Sequence, residues 1–173
     1  MLLASCVSKP FNVIPRSAPP GESFAALAPG GPLEIQASAI RDEDYLYSTF
    51  DANLVMAGLL PVKVSLHNNN NVPIDLAPMR FLLGSSGQKP IEPRRAFKRL
   101  VKYYGVRVYS PEGYKLALAD FSAYGLDQRS PLPPGESRWG LLFFEDRAAQ
   151  PAGSGLAITV KGGPAAELKI NVN

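Results

Sequence analysis

The sequence is poor in the residues that most catalytic and metal sites use. It contains one cysteine and one histidine, so an intrachain disulfide is excluded, and a zinc site of three or four Cys, His or carboxylate ligands has no cluster to draw on. The histidine, His67, stands at the end of a strand-like segment beside a turn, where a polar strand residue is a better interpretation than a general base. The carboxylates show no spacing that marks an acid–base pair. We therefore expect no enzymatic activity, no cofactor and no metal ion.

Long apolar runs and strong net charge are also missing. No segment of about 18 apolar residues occurs, which excludes a transmembrane helix. The net charge of +3 is too small for a dedicated nucleic-acid-binding protein, where a concentrated basic surface is expected. Charged residues make up 19% of the chain, whereas glycine and proline together number 32 (15 and 17). Such a turn-rich composition favours many short strands over long helices.

The one cysteine lies in a pattern that indicates a cellular address. Leu3-Ala4-Ser5-Cys6 resembles the bacterial lipobox, in which small residues before a cysteine allow a signal peptidase to cut and the new amino-terminal cysteine to be lipidated. A complete signal peptide also needs a basic region and an apolar segment of roughly 7 to 15 residues, which would have to lie upstream of Met1. The pattern predicts lipidation at Cys6 and a location in the bacterial cell envelope, as a periplasm-facing or surface lipoprotein of the outer membrane. The alternative is a frayed tail that contains a cysteine by chance.

A proline-rich segment separates this pattern from the first predicted strand. Residues 7–32 contain six prolines and no sustained apolar period, which is typical of an extended linker. We therefore divide the chain into a lipobox remnant with its tether, residues 1–32, and a β-sandwich domain, residues 33–173.

Alternating apolar residues predict the strands of this domain. In the central segment, Val62, Val64 and Leu66 alternate with polar residues, Asn68–Asn71 forms a turn, and the alternation resumes beyond this turn. This pattern predicts two antiparallel strands joined as a hairpin, the second of them kinked near Pro78. The other predicted strands are 33–39, 106–108, 114–118, 137–144 in the middle of a sheet, and 156–160 with 168–172 as a closing hairpin.

One helix is predicted over residues 93–104. Pro93 suits the first turn of a helix and Gly105 its end, and apolar residues recur at helical spacing on one face. Residues 41–58 stay open between a short helix with acidic residues in its first turn and a structured loop. The strands predicted within 106–118, joined by a turn at 110–113, compete with a short amphipathic helix over 117–126.

The polar face of the predicted helix is strongly basic. Its five cations, with only Glu92 nearby to offset them, are Arg94, Arg95, Lys98, Arg99 and Lys102. Such a face can bind anionic lipid headgroups, lipopolysaccharide or an acidic protein, since each basic residue near an anionic membrane surface contributes about 1 kcal/mol. A solvated helix face is the alternative.

The order of these segments resembles a known fold. Val62–Asn68, followed by Pro134–Ser137 and Gly140–Phe144, is similar to the immunoglobulin-like sandwich of water-stress and late-embryogenesis-type domains and of small bacterial envelope lipoproteins. The resemblance extends from Leu33 to Asn173 and implies a mainly β, immunoglobulin-like antiparallel β-sandwich in which the helix over 93–104 is an insertion. It brings no catalytic residue.

Together these features predict a non-enzymatic, lipid-anchored envelope protein that acts as an interaction module. The expected partners are a membrane, through the lipid on Cys6, and a protein of the envelope, but not nucleic acid. The alternative is a scaffold or accessory subunit of an envelope transport or secretion assembly, which would use an exposed edge strand to pair with another chain.

Overall fold

A computed structural model describes residues 8–16, 31–107, 110–146, 157–162 and 167–172. Within these residues, strands and helices follow one another in a β-rich order. They are β1 (Leu33–Ala39), α1 (Glu43–Phe50), β2 (Leu59–Asn68), β3 (Arg80–Leu83), α2 (Pro93–Tyr103), α3 (Pro111–Ser122), β4 (Ser137–Glu145), β5 (Ala157–Lys161) and β6 (Glu167–Asn171).

The strands form two antiparallel sheets that share one apolar core. One sheet has the order β1-β2-β4 and the other the order β3-β5-β6. The residues that alternate along β2, Val62, Val64 and Leu66, are buried in this core together with Phe81 of β3 and Val160 of β5. The predicted antiparallel, β-rich character is therefore confirmed, as are the strand at 33–39 and the closing hairpin of β5 and β6.

The predicted central hairpin is wrong. β2 pairs with β1 and β4, whereas β3 pairs with β5 in the other sheet. The chain between them crosses from one sheet to the other, and on the way Ile74 forms a bridge with Leu132. Alternation located the apolar faces correctly, but both a hairpin and a crossing between facing sheets bury the same alternate residues.

The crossing is held by the first of the four consecutive asparagines. Asn68 is fully buried, and its amide nitrogen donates to the carbonyl oxygens of Val72 and Leu132, each at 2.9 Å. Its side-chain oxygen accepts from the backbone N–H of Asn70 at 2.8 Å. Three such bonds satisfy a buried amide, whereas Asn71 is exposed.

β4 lies at the edge of its sheet. The predicted position in the middle of a sheet is therefore wrong. The outer edge of β4 is nevertheless covered, because Ile91 donates to the carbonyl oxygen of Phe143 at 2.8 Å, and the backbone on either side of Gly125 bonds to Leu141. A β-carbon at Gly140 would overlap the backbone of Leu126, so only glycine allows this close approach. The prediction that both faces of β4 are covered is confirmed by its buried residues, Leu141–Phe144.

The helices begin where capping residues place them. α1 starts after Asp42, whose carboxylate accepts from the backbone N–H of Tyr45, which decides the open choice for residues 41–58 in favour of a helix over Glu43–Phe50. α2 confirms the helix predicted at Pro93, and Gly105 follows it with a φ of 60°.

The strands predicted within 106–118 are wrong for every position that the structure describes. Residues 106–107 are not part of a strand, residue 108 lies outside the described residues, and Pro111–Ser122 forms α3. The predicted turn at 110–113 is a helix start: the Ser110 hydroxyl accepts from the backbone N–H of Gly113 at 3.0 Å. Serine followed by proline suits both a turn and a capped helix, so the local pattern could not separate them.

The three helices cover one half of the outer face of the β1-β2-β4 sheet. Phe97 of α2 and Phe121 of α3 contact each other with ring centroids 5.4 Å apart, and Phe121 stacks on Phe143 of β4 at 4.9 Å. This second core gives the molecule a third layer. α2 therefore packs on the face of a sheet, with its polar face left towards solvent.

Candidate functional site

The basic face of α2 presents four exposed cations. Arg94, Arg95, Lys98 and Lys102 are exposed, and within the described ranges no carboxylate comes within ion-pair distance of any of the four. The opposite face is fixed in the second core by three buried residues, Ala96, Phe97 and Leu100. Burial of that face directs these four cations outward.

Arg99 differs from the other predicted cations of this face. Its guanidinium donates to the carbonyl oxygen of Ala57 at 3.0 Å and forms an ion pair with Glu145 of β4 at 3.1 Å. A β-carbon at Gly58 would lie 2.8 Å from this guanidinium. Arg99 thus joins α2 to β4 and to the loop before β2, and the other four cations of the face form no ion pair with the residues that the structure describes.

α2 and α3 run antiparallel, which brings further side chains to one end of the helical layer. Pro93 at the start of α2 lies beside Gly125, just after α3, and one turn further Phe97 contacts Phe121. These two contacts place the end of α2 beside the start of α3. We call this end of the layer the strap end; its exposed side chains include Lys102 and Tyr103 of α2, Arg107 of the connection between the helices, and Glu112, Lys115 and Leu116 of α3.

Part of the predicted tether belongs to the folded unit. Residues 8–16, the N-terminal strap, lie across the helices, with Phe11 and Val13 only 4% exposed. The ring of Phe11 meets those of Phe97 and Tyr104 edge-on, with centroids 5.9 Å apart in both cases. The predicted tether is therefore not uniform, since Phe11 and Val13 pack in the core rather than extending into solvent.

The strap begins at the start of α3. The carbonyl oxygen of Ser8 lies so close to Gly113 that a β-carbon there would overlap it. The ammonium of Lys9 forms an ion pair with Asp120 at 2.7 Å. Ser8, the first described residue, is thereby held at the strap end of the helical layer, two positions after Cys6.

The other end of the strap reaches β4. Ile14 donates its N–H to the carbonyl oxygen of Thr49 at 2.9 Å and accepts a hydrogen bond from the Tyr124 hydroxyl at 3.0 Å. Burial raises the pKa of Tyr124, so this hydroxyl stays protonated and able to donate. Arg16 lies over the ring of Trp139, 4.1 Å from its centroid, a cation–π contact. The strap therefore makes contacts along its whole length.

The histidine lies on the half of the β1-β2-β4 sheet that the helices leave open. The Nδ1 atom of His67 is 2.8 Å from the hydroxyl oxygen of Ser137, and Glu34 is its neighbour in register on β1. The Glu34 carboxylate accepts from Gln36, and within the described residues the His67 ring has no second hydrogen-bond partner. A serine hydrolase needs the second ring nitrogen held by a carboxylate, so this arrangement does not form a triad.

The described residues form neither a metal-binding cluster nor a membrane-spanning helix. No group of three or more His, Cys, Asp or Glu side chains comes close enough there to hold a metal ion. None of the helices in those ranges has both the length and the apolar character needed to cross a membrane. Cys6, the predicted lipidation residue, lies outside the described residues.

Comparison with known proteins identifies no relative. No family model, curated protein or solved structure matches this chain. The functional reasoning therefore depends on the residues themselves.

Sequence reasoning found the basic face but missed what stands beside it. Tyr103 and Leu116 are 50% and 47% exposed, and Lys115 is exposed on α3. The signal for α3 was present in Ser110 and Pro111, a capping residue followed by a first-turn proline. The position of this helix against α2 depends on contacts that no local pattern records.

Proposed function

We propose that this chain is a non-enzymatic, lipid-anchored protein of the bacterial cell envelope that acts as an interaction module. The lipid is carried on Cys6, and the folded unit presents its basic helix α2 and its loops to a partner. No cofactor or nucleic acid takes part in this function.

The packing of the N-terminal strap is the observation that carries this proposal. A processed chain that began at Cys6 would keep residues 8–16, and with them the buried Phe11 and Val13. Cleavage before Cys6 is therefore compatible with an intact core. The lipobox-like Leu3-Ala4-Ser5-Cys6 lies immediately before the strap, where an acyl anchor would leave the fold undisturbed.

We also propose that the two sheets form an immunoglobulin-like sandwich. In the constant-type fold, strands A, B and E neighbour one another in one sheet and strands C, F and G in the other. If β1 to β6 are taken as A, B, C, E, F and G, the observed orders β1-β2-β4 and β3-β5-β6 follow that scheme. α2 and α3 then stand in place of strand D. An experimental structure with β2 and β3 in one sheet would contradict this assignment.

Metabolic labelling tests the anchor. The chain is expressed in a bacterium with its genomic upstream sequence, and incorporation of palmitate is compared between the wild type and Cys6→Ser. We expect label and membrane association in the wild type only, and accumulation of a precursor when the lipoprotein signal peptidase is inhibited by globomycin. An unlabelled wild-type chain that ignores the inhibitor would refute the lipid anchor.

A scaffold or accessory subunit of an envelope assembly is the second candidate, and the free edge of β1 favours it. Ile40 donates to the carbonyl oxygen of Pro61 and Asn69 to that of Pro32, so even-numbered residues of β1 bond to β2. By the alternation of antiparallel ladders, the backbone groups of residues 33, 35, 37 and 39 point away from β2. No strand pairs with this edge in the described residues.

Such an edge is a template for another strand, because β1 contains neither lysine nor proline that would block pairing. Purification from native membranes separates the two candidates. A stoichiometric complex that Ala39→Pro disrupts, without loss of the folded monomer, would support the scaffold, since this proline removes one outward N–H group. Recovery of the chain alone would contradict the scaffold.

A further inference from the structure

We infer that the strap end of the helical layer is a docking surface for anionic lipid headgroups, and that the packed strap orients the protein with this end against the membrane. This inference rests on the proposed anchor at Cys6. It differs from the basic face predicted from sequence, because it selects one end of α2 and adds residues of α3.

The chain between the anchor at Cys6 and the folded unit is short. Ser8 is held against Gly113 at the start of α3, and two residues of extended chain span at most about 7 Å. That reach is shorter than the Debye length of about 8 Å at physiological ionic strength. An acyl chain on Cys6 would therefore bring the surface around Ser8 into the field of the headgroups, instead of allowing the domain to rotate on a long tether.

The strap end combines exposed cations with half-exposed apolar side chains. Lys102 and Lys115 are exposed there, with Lys98 one turn back along α2, and Glu112 is the exposed carboxylate of the first turn of α3. Tyr103 and Leu116 add two half-exposed apolar side chains. Cations beside aromatic and aliphatic groups are the composition of surfaces that lie in a membrane interface.

The geometry of α2 excludes its opposite end from the same contact. Arg94 and Arg95 precede Lys102 by eight and seven residues, which is about 11 Å along the helix axis. The last turn of α2 is the part of the helix nearest the anchor. When that turn contacts the headgroups, the charges of Arg94 and Arg95 lie farther from the headgroups than the Debye length, so salt screens their attraction. The strap end, where Lys102, Arg107 and Lys115 are exposed, should therefore dominate binding over Arg94 and Arg95.

Vesicle binding of the full chain with a single acyl chain coupled to Cys6 tests the choice of end, since one such chain by itself gives only marginal, reversible binding. The coupled protein is mixed with vesicles of phosphatidylglycerol and phosphatidylcholine in equal parts, and bound protein is measured by sedimentation, with pure phosphatidylcholine as the lipid control. Lys102→Gln with Lys115→Gln should weaken binding about 30-fold, since each cation near the surface contributes a factor of about 5. The matched pair Arg94→Gln with Arg95→Gln should change it less than about 3-fold. Equal losses for both pairs, or equal binding of the coupled protein to anionic and neutral vesicles, would overturn the inference.

A second experiment uses the chain with a lipid coupled at Cys6 to measure how the protein is oriented on the membrane. Cys6 is the only cysteine, and Trp139 the only tryptophan, so the chain can be coupled at Cys6 to a maleimide lipid and followed by tryptophan fluorescence. With brominated acyl chains in the anionic vesicles, Tyr103→Trp should add a quenched component, whereas Trp139, under the far end of the strap, should stay unquenched. An unquenched Trp at 103 would overturn the orientation. This experiment does not depend on native lipidation, so palmitate labelling and vesicle orientation can fail separately.

Discussion

Truncation of Phe11 should destabilise the whole domain, although this residue lies in a segment that the sequence presents as a linker. The ring is 4% exposed and contacts Phe97 and Tyr104 in the second core. Phe11→Ala removes a buried aromatic side chain, a change that typically lowers the free energy of unfolding by about 3–5 kcal/mol. In a chain of 173 residues each kilocalorie lowers the melting temperature by roughly 2–4 °C, so we expect a decrease of at least about 6 °C.

The same strap offers a matched control for this measurement. The side chain of Ile14 is 47% exposed, while its backbone bonds to Thr49 and Tyr124 do not need that side chain. Ile14→Ala should therefore change the free energy of unfolding by less than about 0.5 kcal/mol. Urea unfolding followed by circular dichroism compares the two variants. If Phe11→Ala and Ile14→Ala unfold at the same urea concentration as the wild type, the strap is not part of the cooperative unit and the reasoning is refuted.

Three further predictions follow from other contacts. Asn68→Ala should lower the free energy of unfolding by about 2–3 kcal/mol, because it leaves two buried carbonyl oxygens without their amide donor; the exposed Asn71→Ala should leave urea unfolding unchanged, and equal behaviour of the two would contradict the buried crossing. Arg99→Met should cost about 1 kcal/mol, since it breaks the links to Ala57 and β4, whereas Arg95→Met on the same helix should be neutral in the same assay. A serine hydroxyl and a backbone N–H group hold the pKa of Asp127 below its usual value, so its carboxylate stabilises the folded state at neutral pH and loses this effect as the pH falls below about 4. The difference in unfolding free energy between the wild type and Asp127→Asn should accordingly shrink on acidification, and a difference that grew instead would refute the assignment.

Local signals were sufficient for much of the secondary structure. The helix at Pro93 and the strand of Leu33–Ala39 form where proline, glycine and alternation predict them. The sequence predicts a turn where α3 begins, because Ser110 followed by proline suits a turn as well as a helix cap. A turn and a capped helix differ here only in the residues that follow and in the tertiary contacts of those residues.

The candidate surface, too, could be predicted only in part from the sequence. The cations of α2 were evident from sequence spacing, but the ion pair that engages Arg99 joins residues 46 positions apart, and no local pattern predicts such a contact. Residues of α2 and α3 come to the strap end together only because the two helices pack against each other.

By itself, the sequence determined which residues turn inward and where most strands and helices begin, because alternation, caps and prolines act over a few residues. Tertiary structure alone decided that β2 and β3 belong to different sheets, that β4 takes an edge position with a covered edge, and that residues 8–16 pack on the helices. These outcomes depend on contacts between distant residues, such as Ser8 with Gly113 and Asn68 with Leu132. The same apolar face can be buried against several different strands or helices, and the complete packing of the core selects among them.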